Sequence, residues 1–275
     1  MSLAPRALVL NAPGINCNVE TGYAIEQVGG VADQVHISQW RAGHVSLDDY
    51  QILALSGGFS HGDDIASGRI LGLELRTCFG EELDRFVEAG KAVVGICNGL
   101  QVLVESGLLP DGRVLPSSIS PATSSVPRIK EISLVNNANN SFEWRWNKLK
   151  VEQSKSKFIS GDLIGSIVEL PSAHQEGRVA ARTPLVLDAL ASSGQVVFSF
   201  VDDIGERTEE YPYNPNGSQA GMTGFCDPSG VVLGLMPHPE RATEQIRHPN
   251  WRRGEGSNPF GAVLFKNIVD YAGEL

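Results

Sequence analysis

Residues Gly95–Gly99 read Gly-Ile-Cys-Asn-Gly, the pattern of a nucleophile elbow. In such an elbow, whose serine form is G-x-S-x-G, a strand turns sharply into a helix and presents its central side chain. Glycines flank that side chain because the turn leaves no room for others. A cysteine there gains thiolate stabilisation from the helix N-terminus and lies near free backbone N–H groups. We therefore predict that Cys97 is a nucleophile; the alternative is a buried, inert thiol.

A second segment with potentially catalytic side chains, His238 and Glu240, lies late in the chain. Pro237 and Pro239 favour extended backbone there, in which residues i and i+2 point to the same side. The imidazole and the carboxylate can then approach each other, as in the orienting half of a catalytic triad. Alone, this segment would be typical of a surface turn. If the strand before it lies beside the strand before Cys97, the sequence predicts a Cys-His-Glu system.

Glycines also follow an earlier apolar run, in the segment Ser56–Phe59. Gly-Gly is common in ordinary turns. It also lets a backbone N–H approach a ligand closely, so Gly58 and Asn98 are the predicted donors of an oxyanion hole. A phosphate cradle is disfavoured because no G-x-G-x-x-G pattern or Walker lysine follows.

The elements that must position these residues alternate between strand and helix in the N-terminal half. Strands are predicted at 7–10, around 35–37, at 52–55 and at 92–96. Strands separated by helices pair in parallel through right-handed crossovers, as in a doubly wound α/β sheet. Such sheets place their sites at the carboxyl ends of strands, where the Gly-Gly segment and Cys97 both lie.

From about residue 125 the predicted strands follow one another without helices, which indicates antiparallel sheet. They cover 129–135, 158–159, 163–170 and 196–201, before a polar loop at 202–221, a buried strand at 231–235 and a final helix. That long loop is predicted to be functional or to face a partner. The predicted fold is one α/β domain over residues 1–275, with a doubly wound, mostly parallel sheet, flanking helices and a small antiparallel sheet from the C-terminal half.

Composition narrows the class of protein. The chain has 275 residues, 41% of them hydrophobic, and a net charge of −10. Without a basic run, nucleic acid and anionic membranes are disfavoured as partners. Apolar stretches are too short to span a bilayer and no secretory signal opens the sequence, so we expect a cytoplasmic protein.

The cysteines and the remaining histidines give no metal-binding pattern. Cys17, Cys78, Cys97 and Cys226 lie far apart without a C-x-x-C pair, and His36, His44 and His248 stand outside any cluster. A disulfide framework or zinc site is therefore poorly supported, and we expect no metal. Cys17, Cys78 and Cys226 are predicted to be small core residues, with Cys17 in a strand-end loop that could border the site.

Several motifs together resemble a known family. Residues 95–101, followed much later by 238–240, are similar to class I (triad) glutamine amidotransferases. Segments 57–63, 173–178, 214–218 and 236–241 narrow the resemblance to the glutaminase component of phosphoribosylformylglycinamidine synthase, an enzyme of purine biosynthesis. The similarity runs from Val9 to the final helix. It also implies the flavodoxin-like fold of the class.

The resemblance implies a role for each matching residue. Cys97 would attack the side-chain amide of glutamine and form a glutamyl thioester, His238 would transfer protons, and Glu240 would orient His238. Gln101, one helical turn beyond the nucleophile, would reach the amino-acid end of glutamine. The loop with His174, Glu176 and Gly177 would close over glutamine. Two residues depart from the family pattern: Gln175 replaces a glycine, and His61 replaces an aromatic residue.

The resemblance also implies a partner. A synthetase subunit, with or without a small bridging subunit, would use ATP and Mg²⁺ to activate formylglycinamide ribonucleotide, while this chain needs no cofactor and supplies ammonia. One alternative is a stand-alone hydrolase of glutamine or other γ-glutamyl substrates. The other is a non-catalytic, glutamine-binding subunit of the synthetase.

Overall fold

The computed structural model describes residues 4–113, 130–254 and 259–275. Its strands are β1 (Arg6–Asn11), β2 (Val31–His36), β3 (Ile52–Leu55), β4 (Ala92–Ile96), β5 (Ile132–Val135), β6 (Glu143–Val151), β7 (Ile167–His174), β8 (Arg178–Ala181), β9 (Val196–Phe200), β10 (Met222–Cys226) and β11 (Val232–Leu235). Its helices are α1 (Asn18–Gln27), α2 (Ile37–Arg41), α3 (Arg69–Glu88), α4 (Asn98–Ser106), α5 (Pro184–Ser192) and α6 (Phe260–Gly273).

One large sheet organises the described part of the chain, with strand order β2-β1-β3-β4-β11-β10-β9-β6-β7. Neighbours from β2 to β11 pair in parallel. Neighbours from β11 to β7 pair antiparallel. Strands β5 and β8 form a separate small antiparallel sheet. The predicted α/β class, with its parallel core and small antiparallel sheet, is confirmed; several of the antiparallel strands extend the large sheet.

The parallel core is buried on both faces, because helices cover it. Every residue of β3, β4 and β11 is buried, so these strands are continuous apolar runs rather than alternating ones. The helices lie on the sheet in two contacting pairs, α1 with α6 and α3 with α4. Among the described residues, no helix combines the length and apolarity needed to cross a bilayer.

The C-terminal half differs in detail from the prediction. The predicted strand at 158–159 is wrong: these residues lie in a turn, and Phe158 is apolar because it fills the core. The strand expected at 163–170 begins later, as β7. Strand β6 was not predicted, although charged and polar residues alternate with apolar ones over much of it, and helix α5 was not predicted either. Residue 129 lies outside the described ranges, and Ile37 begins α2 rather than continuing β2.

Candidate active site

Cys97 lies at the turn between β4 and α4, in a backbone conformation that residues with side chains rarely adopt. Its φ is 53° and its ψ is −108°. A Cβ atom at Gly99 would lie 1.9 Å from the carbonyl oxygen of Leu55, and one at Gly95 would lie 2.5 Å from Leu103 Cδ1. Both glycines are therefore required by packing, as the elbow pattern predicts.

The neighbouring strand brings His238 to the elbow. Strands β4 and β11 pair in parallel with Ile96 opposite Leu235, and the Cys97 N–H donates to the Leu235 carbonyl at 2.8 Å. The chain then continues to His238, whose N–H donates to the carbonyl of Pro171 at 2.7 Å. The predicted adjacency of the two strands is thus present in the structure.

His238 and Glu240 form a buried pair. Nδ1 of His238 lies 2.5 Å from Oε1 of Glu240, and the side chains are 2% and 0% exposed. Their approach follows a different backbone route from the predicted one, since residues Pro239–Arg241 form a 3₁₀ turn instead of continuing extended. Burial disfavours the imidazolium, but the Glu240 carboxylate and the nearby Cys97 and Cys17 outweigh it and raise the pKa of His238 well above its ordinary value.

Gly57 is the point at which the reactive side chains converge. A Cβ atom there would lie 2.9 Å from His238 Cε1, 3.1 Å from Cys17 Sγ and 3.5 Å from Cys97 Cβ. Any side chain at this position would displace the imidazole or a thiol. The Gly-Gly segment therefore does more than turn the chain, because its first glycine leaves the space in which these groups meet.

The two predicted oxyanion donors adjoin Cys97: Gly58 lines the same two cavities, and Asn98 is the next residue in the chain. Gly58 faces Ile15 in an antiparallel bridge whose hydrogen bonds come from the N–H groups of Asn16 and Phe59. The Gly58 N–H takes no part in that ladder, as expected for the non-hydrogen-bonded pair. Asn98 begins α4, where the first N–H groups have no acceptor within the helix. Its buried side chain accepts from the Ser60 N–H at 3.1 Å, which ties the two segments together.

Two cavities open at Cys97. One has a volume of about 280 Å³, and its lining includes Asp63, Gln101, His174 and Glu176. The other has a volume of about 260 Å³, and its lining includes Cys17, Phe142, Trp144, His238 and Arg241. Gly58, Phe59 and Ala173 border both. A third cavity, near Trp146 and Phe260, contains none of the predicted site residues.

The first cavity brings together three of the four residues predicted to contact glutamine. Gln101, His174 and Glu176 line it. Gln101 Oε1 accepts from Asn98 Nδ2 at 2.8 Å, and its Nε2 donates to the carbonyl of Glu176. Gly177 does not line the cavity but supports it: a Cβ atom there would lie 2.0 Å from His174 Cδ2. Its predicted contact with glutamine stays a prediction.

A network behind the cavity fixes His174. Asn216 Nδ2 donates to the Gly177 carbonyl and lies 3.0 Å from His174 Nε2, so Nε2 accepts and the ring proton is on Nδ1. That Nδ1 is buried and has no partner. Burial, together with the charge of His238, lowers the pKa of His174 to about 3. Asn216 belongs to the predicted long loop, whose Asn-Pro-Asn-Gly-Ser segment supports this ring instead of lying idle.

The two departures from the family pattern leave the catalytic groups untouched. The Gln175 side chain is exposed at the rim of the first cavity. His61 has a φ of 52° and lies beside α3, with Nε2 3.6 Å from Glu74 Oε2. It is half-buried rather than fully solvated.

The cysteines other than Cys97 differ in environment. Cys226 is buried, and burial raises its pKa to about 12. Cys78 is exposed on α3, so its predicted place in the core is wrong. Cys17 is buried beside His238, and Arg241 Nη2 donates to its Sγ at 3.1 Å. The sequence indicated only that Cys17 could border the site; its contact with the base depends on a pairing between distant segments.

Comparisons with known proteins agree with this geometry. The family model for the CobB/CobQ-like glutamine amidotransferase domain matches residues 4–272. A phosphoribosylformylglycinamidine synthase subunit PurQ from Methanococcus maripaludis strain C7 is 36% identical, over 98% of each chain. The PurQ subunit from Treponema denticola is 39% identical over 86% of this chain and 88% of its own.

Solved structures show the same architecture. PurLQS from Thermotoga maritima contains a chain that is 29% identical, with a TM-score of 0.71 and coverage of 98% of this chain and 99% of that one. A glutamine amidotransferase from Thermotoga maritima, 15% identical with a TM-score of 0.56, covers 99% of this chain and 100% of its own and shares the fold. The chain therefore belongs to the CobB/CobQ-like glutamine amidotransferases and, among them, to the PurQ family of phosphoribosylformylglycinamidine synthase subunits.

Proposed function

We propose that this chain is a single glutaminase domain that hydrolyses glutamine to glutamate and ammonia for a phosphoribosylformylglycinamidine synthase. The observation that carries this proposal is the convergence of Cys97 with the buried His238–Glu240 pair at Gly57. Family membership gives the reaction its substrate class, and the PurQ names of the relatives give it a setting in purine biosynthesis.

In the first half of the reaction, Cys97 Sγ attacks the side-chain carbonyl carbon of glutamine and His238 takes the thiol proton at Nε2. The raised pKa of His238 favours this transfer, because the imidazolium forms beside the Glu240 carboxylate. The developing oxyanion accepts hydrogen bonds from the N–H groups of Gly58 and Asn98. Collapse of the intermediate breaks the C–N bond, and the proton held by His238 leaves with ammonia.

In the second half, water attacks the glutamyl thioester. His238 Nε2 takes one proton from the water and returns it to the Cys97 sulfur as glutamate leaves. Glu240 remains bonded to Nδ1 throughout, which keeps Nε2 directed at the reacting atoms. These steps use only side chains and backbone groups of this chain, so the proposal includes no cofactor or metal for hydrolysis.

Glutamine is proposed to occupy the cavity lined by Gln101, His174 and Glu176. The unpartnered Nδ1–H of His174 is a buried donor, and a bound polar group would satisfy it. The Glu176 carboxylate offers a partner for the α-ammonium group of an amino acid. A His174→Gln variant is expected to raise KM for glutamine more than it lowers kcat.

The partner is proposed to be a synthetase subunit that binds ATP and Mg²⁺ and activates the nucleotide substrate. The solved structure of PurLQS from Thermotoga maritima, which contains a chain similar to this one, supports a complex of this kind. Ammonia is mostly protonated at neutral pH and diffuses away, so docking would protect it during transfer. A cytoplasmic location follows from this proposed pathway.

The decisive experiment replaces the nucleophile in the reconstituted complex. Cys97→Ala should abolish glutamine-dependent synthesis while synthesis from added ammonia continues. Cys78→Ala, at an exposed cysteine on α3, is the matched control and should leave both intact. Glutamine-dependent turnover by Cys97→Ala would overturn the thioester mechanism.

The two alternatives differ from the proposal in a measurable way. A stand-alone γ-glutamyl hydrolase would show its full rate without the synthetase, whereas a subunit should reach it only with the partner and nucleotide present. A non-catalytic glutamine-binding subunit would not react with a glutamine-like electrophile. We expect such an electrophile to label Cys97. Labelling mainly at Cys17 would show that Cys17, not Cys97, is the nucleophile.

A further inference from the structure

We propose that Cys17, Cys97 and His238 form a binding site for a thiophilic divalent cation such as Zn²⁺, and that its occupation silences the triad. Binding depends only on the positions of these side chains, whereas silencing rests on the proposed function. The cysteine spacing in the sequence predicted no metal site. The fold changes that expectation because it brings Cys17 next to His238.

Backbone contacts hold Cys17 at the site. It precedes α1, and its N–H donates to the Gly57 carbonyl at 3.1 Å. One potential ligand atom from each of Cys17, His238 and Glu240 lies within 4.8 Å of the other two, and all three residues are buried. Ligand atoms around tetrahedral zinc lie about 3.5 Å apart. Cys97 lies outside this cluster but lines the same cavity as Cys17 and His238, so its side chain must rotate to bring Sγ to the metal.

The histidine already has the orientation of a metal ligand. Glu240 holds Nδ1, which leaves Nε2 as the free nitrogen; this atom is buried and makes no well-formed hydrogen bond. A carboxylate bonded to the far nitrogen is the usual outer partner of a zinc-bound histidine. Both cysteines adjoin the ring, since a Cβ atom at Gly57 would lie 2.9 Å from His238 Cε1, 3.1 Å from Cys17 Sγ and 3.5 Å from Cys97 Cβ. The set is two thiolates and one imidazole, with a fourth position for water.

Charge and access are also compatible with a cation. The cavity of about 260 Å³ reaches Cys17, Cys97 and His238. Binding would release the two thiol protons, so the thiolates would neutralise Zn²⁺. Arg241 opposes binding through its contact with Cys17, but its Nε already donates to Glu20 at 2.9 Å. Arg241 can therefore keep a partner when Cys17 turns to the metal.

The test measures metal binding directly. Chelator-treated protein is titrated with Co²⁺, whose thiolate charge-transfer absorption counts sulfur ligands, and then with Zn²⁺ in competition with a chelator. We expect one metal per chain and two thiolates in the unmodified protein. Cys17→Ser should lose one thiolate and bind Zn²⁺ at least about tenfold more weakly. The matched control Cys78→Ser should bind as the unmodified protein does.

A second variant tests the electrostatic argument without removing a ligand. Arg241→Gln removes the opposing positive charge and should raise Zn²⁺ affinity several-fold. Equal affinities for the unmodified protein and both Cys17→Ser and Arg241→Gln would overturn the site. So would a Co²⁺ spectrum with a single thiolate.

The functional arm compares glutaminase rates in the synthetase complex with and without Zn²⁺ for each variant. The ratio of the two rates should fall strongly for the unmodified protein and much less for Cys17→Ser, with recovery after chelation. Metal binding without loss of activity would overturn silencing. A complex inactive even when metal-free would count against the proposed function, while the Co²⁺ spectra would still decide the site.

Discussion

The imidazole of His238 and the carboxylate of Glu240 meet in a place from which water is excluded, with Nδ1 and Oε1 2.5 Å apart. An interaction between charged groups is stronger there than at the surface, because little solvent screens it. The same burial makes each partner costly without the other. The pair therefore has a consequence for the reaction rate and another for stability.

Replacing the carboxylate should disable the base. Glu240→Gln keeps the shape but presents an amide, which can stabilise the wrong tautomer of His238. We expect kcat for glutamine hydrolysis to fall by about 10³-fold. The measurement is glutamate formation in the synthetase complex. Glu244→Gln, at a half-buried acid four residues on that pairs with Arg247, should change the rate little.

The same pair predicts a pH dependence of stability. The folded-state pKa of His238 lies above its ordinary value, so its contribution is complete below pH 6.5 and is lost as pH rises through the folded-state pKa. The difference in free energy of unfolding between the unmodified protein and Glu240→Gln should therefore shrink as pH rises from 6. Urea unfolding at a series of pH values measures it. A difference that grows with pH would contradict the assigned direction.

The positive φ at the elbow predicts that glycine is better tolerated than alanine at position 97. Cys97 has positive φ, a conformation that costs about 1–3 kcal/mol for a residue with a side chain. Cys97→Gly should therefore be more stable to urea than Cys97→Ala, by about 1 kcal/mol. Both variants lack the thiol and should lack glutamine-dependent activity. Equal stabilities would indicate that the elbow backbone relaxes.

Gly57 predicts loss of activity from a single methyl group. Gly57→Ala would press on His238 and Cys17, and we expect glutaminase kcat to fall by about tenfold or more because the base moves. Gly161→Ala is the matched control, since a Cβ atom there meets nothing within 4 Å. Circular dichroism should show that both variants fold. An active Gly57→Ala would mean that the imidazole and thiols adjust freely.

The lowered pKa of His174 predicts that the protein becomes less stable as pH falls. Its pKa is about 3 in the folded protein against 6.5 ordinarily, so the stability it contributes is present above pH 6.5 and lost as pH falls toward 3. In that window the unmodified protein should lose up to about 1.4 kcal/mol per pH unit relative to His174→Gln. Urea unfolding between pH 6.5 and 4 tests this. A constant difference would show that His174 is protonated as easily in the folded state as in the unfolded one.

The parallel core and the elbow could be predicted from sequence because each has a local signal. Strand β4 is a short apolar run, and Gly95 and Gly99 near Cys97 pack so closely that no side chain fits there. Strand β6, next to the edge strand β7, is not a continuous apolar run, because charged and polar residues alternate with its apolar ones. The position of Glu240 was anticipated, but its 3₁₀ turn was not, since two prolines are compatible with both conformations.

The surroundings of the site were harder to predict, because they depend on long-range pairing. Cys17 and Arg241 are separated by 224 positions, yet their side chains touch. Asn216 supports His174 through a buried hydrogen bond that no spacing rule encodes. The motifs that contain Asn216 and Arg241 carry the family resemblance, but their residue spacing does not predict these contacts.

Because Cys97 lines two cavities, the site has two possible routes to the nucleophile rather than one. If glutamate occupies the cavity lined by Gln101, as proposed, the cavity lined by Trp144 stays free. Glutamate would then remain bound while ammonia leaves through the cavity lined by Trp144. A neighbouring protein that covers one of the two cavities would thus set the order in which glutamate and ammonia leave.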